Sequence, residues 1–189
     1  MSSTLMEIQE VKSAAGLLRA WPASRPGGGS DRVAPGTLTA IAARLAASLT
    51  PGTVPLMGEG RRRFARLLEM PTYEAWLISW APAADLDLHD HGGSEGAFHV
   101  VAGRLVEAYT DLERPEPLKT LSLHAGRGRR VTASRVHRVW NPGPREAMSV
   151  HVYSPPLSIM TFFDDHPDRF LAPLRTESVH GSPEPGSAR

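Results

Sequence analysis

His89-Asp90-His91-Gly92-Gly93-Ser94 sets two imidazoles one residue apart, just ahead of a glycine pair. Side chains alternate across a β-strand with a period of two, so on a strand His89 and His91 share one face and can converge on one metal ion. His137, in the run His137-Arg138-Val139-Trp140-Asn141, offers a third imidazole from a second strand-like segment. Three neutral imidazoles would fill one side of a coordination shell and leave the opposite positions open. An open metal face points to chemistry.

Around this stretch the chain breaks into short β-like runs, at 64–70, 73–80, 97–105, 136–140, 147–153 and 158–163. Pro, Gly and Asp punctuate them at the spacing expected of an all-β sandwich or barrel. The segment Asn141 to Arg145 reads as a short turn, so the runs on either side of it are expected to pair as a hairpin. Ahead of the β region, Leu38, Ile41, Leu45 and Leu49 recur at intervals of three and four. That spacing predicts an amphipathic helix, with Thr37 as N-cap and Pro51-Gly52 as its stop. Residues 1–35 read as a flexible, partly helical extension, with a helix over 5–21 broken by Pro22, Pro26 and Gly27-Gly28-Gly29-Ser30. The folded domain is expected over 36–175, and 176–189, rich in Ser, Pro and Gly, as a disordered tail.

The 189 residues suit one domain with a real core, at 41% hydrophobic and 22% charged residues. A net charge of +1 gives no electrostatic case for nucleic acid or an anionic membrane. The runs Arg61-Arg62-Arg63 and Arg127-Gly128-Arg129-Arg130 lack interleaved aromatics and read as solvated faces or turns. With no cysteine in the chain, disulfides, thiolate ligands and a cysteine nucleophile are excluded. The stretch 38–49 is too short to cross a membrane and is interrupted by Arg44. The first residues carry no basic segment leading into an apolar run, so a cytoplasmic location is expected. A monomer or weak homodimer is the expected state.

Ser149-Val150-His151-Val152-Tyr153 puts three polar side chains at i, i+2 and i+4, on one face of a strand, with the two valines on the other. Ser154-Pro155-Pro156 stiffens the backbone directly afterwards. Alternation alone would also fit a strand with one face in water. Its place after the His137 run argues instead for a polar row beside the metal. His99, His124, His166 and His180 read as ordinary surface or core histidines.

Taken together and in order, these pieces resemble the bacterial thiol dioxygenases of the cysteine dioxygenase type, within the cupin superfamily. The matching residues are Trp80, His89-Asp90-His91-Gly92-Gly93-Ser94, Gly103-x-Leu105-x-Glu107, His137-Arg138-Val139-x-Asn141 and Ser149-x-His151-x-Tyr153-Ser154-Pro155-Pro156, over roughly 60–163. The resemblance implies a small jelly-roll barrel preceded by helical segments. It also implies a mononuclear Fe(II) held by His89, His91 and His137, and a Ser149-His151-Tyr153 hydrogen-bonded relay beside it. The substrates implied are a small-molecule thiol and O2, giving the sulfinate, with L-cysteine the first expectation. Arg66, in Phe64-Ala65-Arg66, is placed by the resemblance at the substrate carboxylate, with Trp80 also near the substrate; Arg63 would face the other side of the strand. The peptide Ser154-Pro155 is expected to be cis.

Glu95 has the spacing of the fourth, carboxylate ligand that many cupins carry, but it lies within Gly92-Gly93-Ser94-Glu95-Gly96, which reads as a turn. Asp90 faces away from the metal and suits a structural role. Two departures bear on the substrate. The animal relatives cross-link a cysteine to the relay tyrosine, whereas Tyr153 must be unmodified here, and Phe64 stands where a tyrosine is common. The rival readings are a 3-mercaptopropionate or mercaptosuccinate dioxygenase, a zinc or nickel cupin using the ion as a Lewis acid, and a non-enzymatic cupin sensor.

Overall fold

The computed structural model describes residues 32–52, 54, 56 and 61–179. The helix expected over 5–21 and the last ten residues of the expected tail lie outside the described residues.

Eleven strands among the described residues form two antiparallel sheets. They are β1 (Arg62–Met70), β2 (Tyr73–Trp80), β3 (Asp85–His89), β4 (Glu95–Ala102), β5 (Arg104–Asp111), β6 (Lys119–His124), β7 (Gly128–Val131), β8 (Arg135–Trp140), β9 (Ala147–Ser154), β10 (Ile159–Phe163) and β11 (Pro173–Ser178). One sheet runs β1-β2-β9-β4-β7 and the other β11-β10-β3-β8-β5-β6. Successive strands repeatedly change sheet, which is the jelly-roll solution to burying two half-apolar sheets against each other. The expected all-β architecture is the one observed.

The chain between β8 and β9 differs from the expected hairpin. These strands belong to different sheets: β8 pairs with β3 and β5, while β9 pairs with β2 and β4. Asn141 carries the chain across. Its buried amide donates to the carbonyls of Trp80, Ala81 and Arg145, and its Oδ1 accepts from Gly143 N. The long run expected over 97–105 is likewise two strands. Gly103 breaks it at φ +75°, and a Cβ there would lie 2.9 Å from Ala147 Cα. At the far end β11 reaches Ser178, past the boundary expected at 175.

Among the described residues one α-helix, α1 (Pro35–Ser48), covers the outer side of the first sheet against β4, β9 and β7. It begins two residues before the expected Thr37 cap. Ala34 occupies the cap position without a side-chain bond, and Pro35 opens the first turn, where its missing N–H costs nothing. Leu38, Ile41, Ala42 and Ala46 are its buried face. Each fully buried Leu or Ile contributes about 1.5–3 kcal/mol. Because α1 covers one side and the second sheet faces the other, every residue of β9 is buried.

The barrel interior changes character along its length. Trp80, Phe98, Val100, Leu105, Val139 and Ala147 belong to one apolar cluster. Two residues further along their strands from Val139 and Ala147, the inward positions become His137 and Ser149, followed on β9 by His151 and Tyr153. A polar row is thus set on a packed apolar floor. No helix among the described residues is long and apolar enough to cross a membrane.

Candidate metal centre

His89 closes β3, His91 lies just beyond it, and His137 pairs in register with His89 from β8. Asp90 N still bonds Thr161 O on β10, which keeps the backbone extended to His91. Asp90 Oδ1 meanwhile accepts from Gly92 N and Thr161 N, so this carboxylate braces the turn. All three imidazoles are buried, and each offers a ring nitrogen within 4.8 Å of the others. The inward nitrogens of His91 and His137 face each other at 3.4 Å.

The protonation of the rings suits a cation. His89 Nδ1 lies 2.7 Å from Asp87 O, and His137 Nδ1 lies 2.9 Å from Glu107 Oε1. Both partners are acceptors, so each Nδ1 carries the proton and each Nε2 turns a lone pair to the centre. Burial, and secondly the neighbouring imidazoles, hold His89 and His91 well below the usual histidine pKa. His91 Nδ1 is buried without a partner. Three buried imidazoles with converging ring nitrogens and no thiolate fit a borderline divalent metal such as iron, zinc or nickel.

Glu107, fully buried, is a functional residue that spacing alone did not single out. Its second oxygen lies 2.6 Å from Arg129 Nε, a close charge pair poorly aligned as a hydrogen bond. The Arg129 guanidinium sits over the Tyr109 ring, which Arg135 also approaches. The carboxylate therefore fixes the His137 tautomer while Arg129 offsets its buried charge. Replacing Glu107 by Ala is expected to weaken metal binding about 10- to 100-fold, with Glu107→Gln milder because an acceptor remains. Competition against a chromophoric chelator measures this; unchanged affinity in both variants would show the carboxylate dispensable.

Beside the triad, β9 presents Ser149, His151 and Tyr153 on its inward face. Ser149 Oγ is 2.8 Å from His151 Nε2, and His151 Nδ1 is 3.3 Å from Tyr153 Oη. Trp80 Nε1 donates to Ser149 Oγ at 2.9 Å. An indole N–H can only donate, and Ser149 is fully buried, so the serine hydrogen is directed at His151 Nε2. His151 Nδ1 then carries a hydrogen toward Tyr153, whose own hydroxyl hydrogen is free to point elsewhere. Trp80, expected beside the substrate, is placed at the head of this chain. Phe98 stacks on His151 with ring centroids 5.2 Å apart, and the Tyr153 ring lies 4.8 Å from that of His91. Gly96 packs against Tyr153, where a Cβ would sit 3.3 Å from Cδ1. The Ser154-Pro155 peptide is cis.

Burial pushes His151 down to about pKa 3, with the His137 charge adding to the effect. The buried relay is thus neutral at physiological pH. Such a group takes up protons only in the unfolded chain between about pH 6.5 and 3, so stability falls as the pH drops through that window, by about 1.4 kcal/mol per pH unit for each histidine. Urea midpoints should therefore decline below pH 6.5, and His151→Asn should make the decline shallower by one proton. An unaltered slope would mean that His151 is not held neutral.

The remaining expected positions separate clearly. Glu95 opens β4 rather than lying in the turn, which is made by Gly92 and Gly93 at positive φ, and its carboxylate pairs with Arg130 at 3.2 Å. It stands outside the histidine group. Arg63 points outward to Glu146. Phe64 and Arg66 line the inward-facing side of β1. Phe64 packs edge-on to Trp76 at 6.0 Å, and Arg66 lies over Trp76 with an ion pair to Glu69. Arg62, which the sequence reading assigned to a solvated cluster, is on this same side over Trp80.

Two antiparallel sheets around a buried cluster of three histidines that could hold one metal ion have the architecture of a cupin. A family model described as cysteine dioxygenase type I matches residues 59–166, more than half of the chain. The chain belongs to the cysteine dioxygenase type I family, which implies a metal-dependent thiol dioxygenase. Among solved structures, the chain is similar to the capsular polysaccharide assembling protein CapF from Staphylococcus aureus (15% identity, 64% of this chain and 32% of that one, TM-score 0.49). It is also similar to CapF in complex with the inhibitor 3-isopropenyl-tropolone (16% identity, 54% and 31%, TM-score 0.48). A third is KdgF from Halomonas sp. (14% identity, 56% and 92%, TM-score 0.48). The match spans about a third of the CapF chains.

Proposed function

We propose that this protein is an Fe(II)-dependent thiol dioxygenase of the cytoplasm that converts L-cysteine and O2 to cysteine sulfinate. The observation that carries the reading is the meeting, in one buried place, of three converging imidazoles and a directed Trp80-Ser149-His151-Tyr153 hydrogen-bond chain. His89, His91 and His137 are the residues that would hold the iron. The chemistry that iron(II) supplies when bound by three neutral imidazoles is acidification of a coordinating thiol and a common meeting point for thiolate and dioxygen. Both oxygen atoms pass to sulfur, so no external reductant enters the balance.

The protein's own groups orient and polarise. Tyr153 keeps its proton, because burial raises its pKa above the usual tyrosine value, with Glu74 adding to the effect. It donates a hydrogen bond into the pocket, and His151 and Ser149 hold it in that direction at no cost during the reaction. The inward side of β1 supplies the guanidinium for the substrate carboxylate, with Arg66 beside Phe64 as the position singled out by the family pattern. The test is oxygen uptake by iron-loaded protein against L-cysteine, 3-mercaptopropionate and mercaptosuccinate, with sulfinate detection. Sulfinate from L-cysteine at the highest kcat/KM supports the reading. Preference for a thiol without an amine would move the substrate and keep the reaction, and no sulfinate from any thiol would overturn both.

A further inference from the structure

Tyr109 on β5 pairs in register with Lys119 on β6 and His137 on β8, and Asp111 pairs with Arg135. These side chains therefore share one face, with Asp111 and Arg135 one step beyond the His137 row. Two guanidiniums lie over the Tyr109 ring, Arg129 at 4.2 Å and Arg135 at 4.3 Å. They are not equally matched by acids. Arg129 has Glu107, whose other oxygen meets His137. Arg135 has Asp111 directly across from it, but that carboxylate is turned to Ser134 Oγ at 2.8 Å and to Glu113 N at 2.9 Å. The Arg135 guanidinium makes no ion pair among the described residues, and its Nε and Nη1 are buried without a hydrogen-bond partner. A desolvated cation in that state is costly.

Arg135 lines a cavity of about 200 Å³, together with Tyr109, Asp111, Arg114, Glu116 and Lys119. The connection between β5 and β6 that contributes Arg114 and Glu116 is pinned. Thr110 Oγ1 donates to Glu116 O at 2.8 Å and accepts from Glu116 N at 3.0 Å. Three cations line the cavity against two carboxylates, and both carboxylates are engaged, Glu116 with Lys119 at 2.5 Å and Asp111 as described. Arg114 is exposed and, like Arg135, makes no ion pair among the described residues. Two guanidiniums thus line one cavity without a direct partner from the chain. We propose that this cavity binds a small inorganic oxyanion of the sulfate or phosphate type, held by Arg135 and Arg114 with Lys119 at its edge, apart from the metal centre. Nη2 is the one Arg135 nitrogen that is not enclosed, so an oxygen of the ion reaches it first. Guanidinium forks match the spacing of such oxygens. Asp111 and Glu116 oppose the ion, so the site exchanges it readily. Nothing in this assignment depends on the thiol reaction.

Calorimetric titration of the metal-loaded protein with sodium sulfate, at an ionic strength held constant with sodium chloride, tests it. The wild type should take up one sulfate saturably. Arg135→Met should weaken that binding roughly 10- to 100-fold, as expected for loss of one charge-assisted pair. Arg114→Met should weaken it by a smaller factor, because its guanidinium is exposed to water. Glu116→Gln should act the other way and tighten binding about threefold or more, by removing an opposing charge and releasing Lys119. A damaged fold would not produce that gain. Metal content should stay the same in Arg114→Met and Glu116→Gln, which separates this site from sulfate bound at the metal. Absence of saturable sulfate uptake by the wild type overturns the proposal. So does an affinity shared by the wild type, Arg135→Met and Arg114→Met, or weaker binding in Glu116→Gln.

Discussion

His137→Ala and His89→Ala proteins are expected to lose stoichiometric metal and, with it, all measurable thiol-dependent oxygen uptake. Among the described residues each ring contributes one of three converging nitrogens, and neither Glu95, paired with Arg130, nor Glu107, which faces His137 from behind, is free to replace it. The loss should therefore exceed the 10- to 100-fold typical of removing an outer partner such as Glu107. His137→Ala carries a second consequence. It leaves Glu107 buried with Arg129 as its remaining charge partner, so some stability goes as well. His89 donates only to a backbone carbonyl, so His89→Ala should be the cleaner variant. Metal analysis after anaerobic reconstitution, with circular dichroism to confirm the fold, reads both effects. Stoichiometric metal in either variant would sink the assignment of these ligands.

The histidines were legible in sequence because a metal needs converging side chains, and the period of two enforces convergence wherever the backbone is extended. His89 and His91 meet even though β3 formally ends at His89, since the pairing of Asp90 to Thr161 keeps the chain straight. The strands that sequence reading missed include β6, β7 and β11, all at sheet edges. Edge strands bury little, and β11 is exposed along its whole length, so their alternation is not marked by hydrophobicity. The false hairpin between β8 and β9 has another cause: nearness along the chain does not reveal which of two stacked sheets a strand joins. Arg62 was hidden by its neighbours. Three successive arginines look like one solvated patch, yet on a strand they cannot all face the same way. Arg63 meets Glu146 outside while Arg62 lies on the side of Arg66. Glu107 was visible only as one residue of a longer motif, because its partner His137 is 30 positions away.

Tyr153→Phe is expected to keep full metal content and fold while lowering kcat by roughly 100-fold, the usual cost of deleting one preorganised donor. Ring packing against His91 survives the change, as does the close approach of Gly96, so only the hydroxyl is lost. KM for the thiol should move little if that hydroxyl acts after binding, because an interaction made only in the transition state lowers kcat and kcat/KM together. Trp80→Phe supplies the complementary case. It removes the donor that fixes the sense of the chain and leaves Ser149, His151 and Tyr153 in place, so their hydrogens can reverse and turn the tyrosine proton toward His151. A loss smaller than that of Tyr153→Phe, again without loss of metal, is the result that a directed chain requires. A Tyr153→Phe protein with wild-type turnover would remove the relay from the mechanism. A Trp80→Phe protein as fast as the wild type, beside a slow Tyr153→Phe, would leave the hydroxyl its role and take away its direction. The two measurements together therefore decide whether the β9 row acts as one oriented unit or as a single tyrosine with packed neighbours.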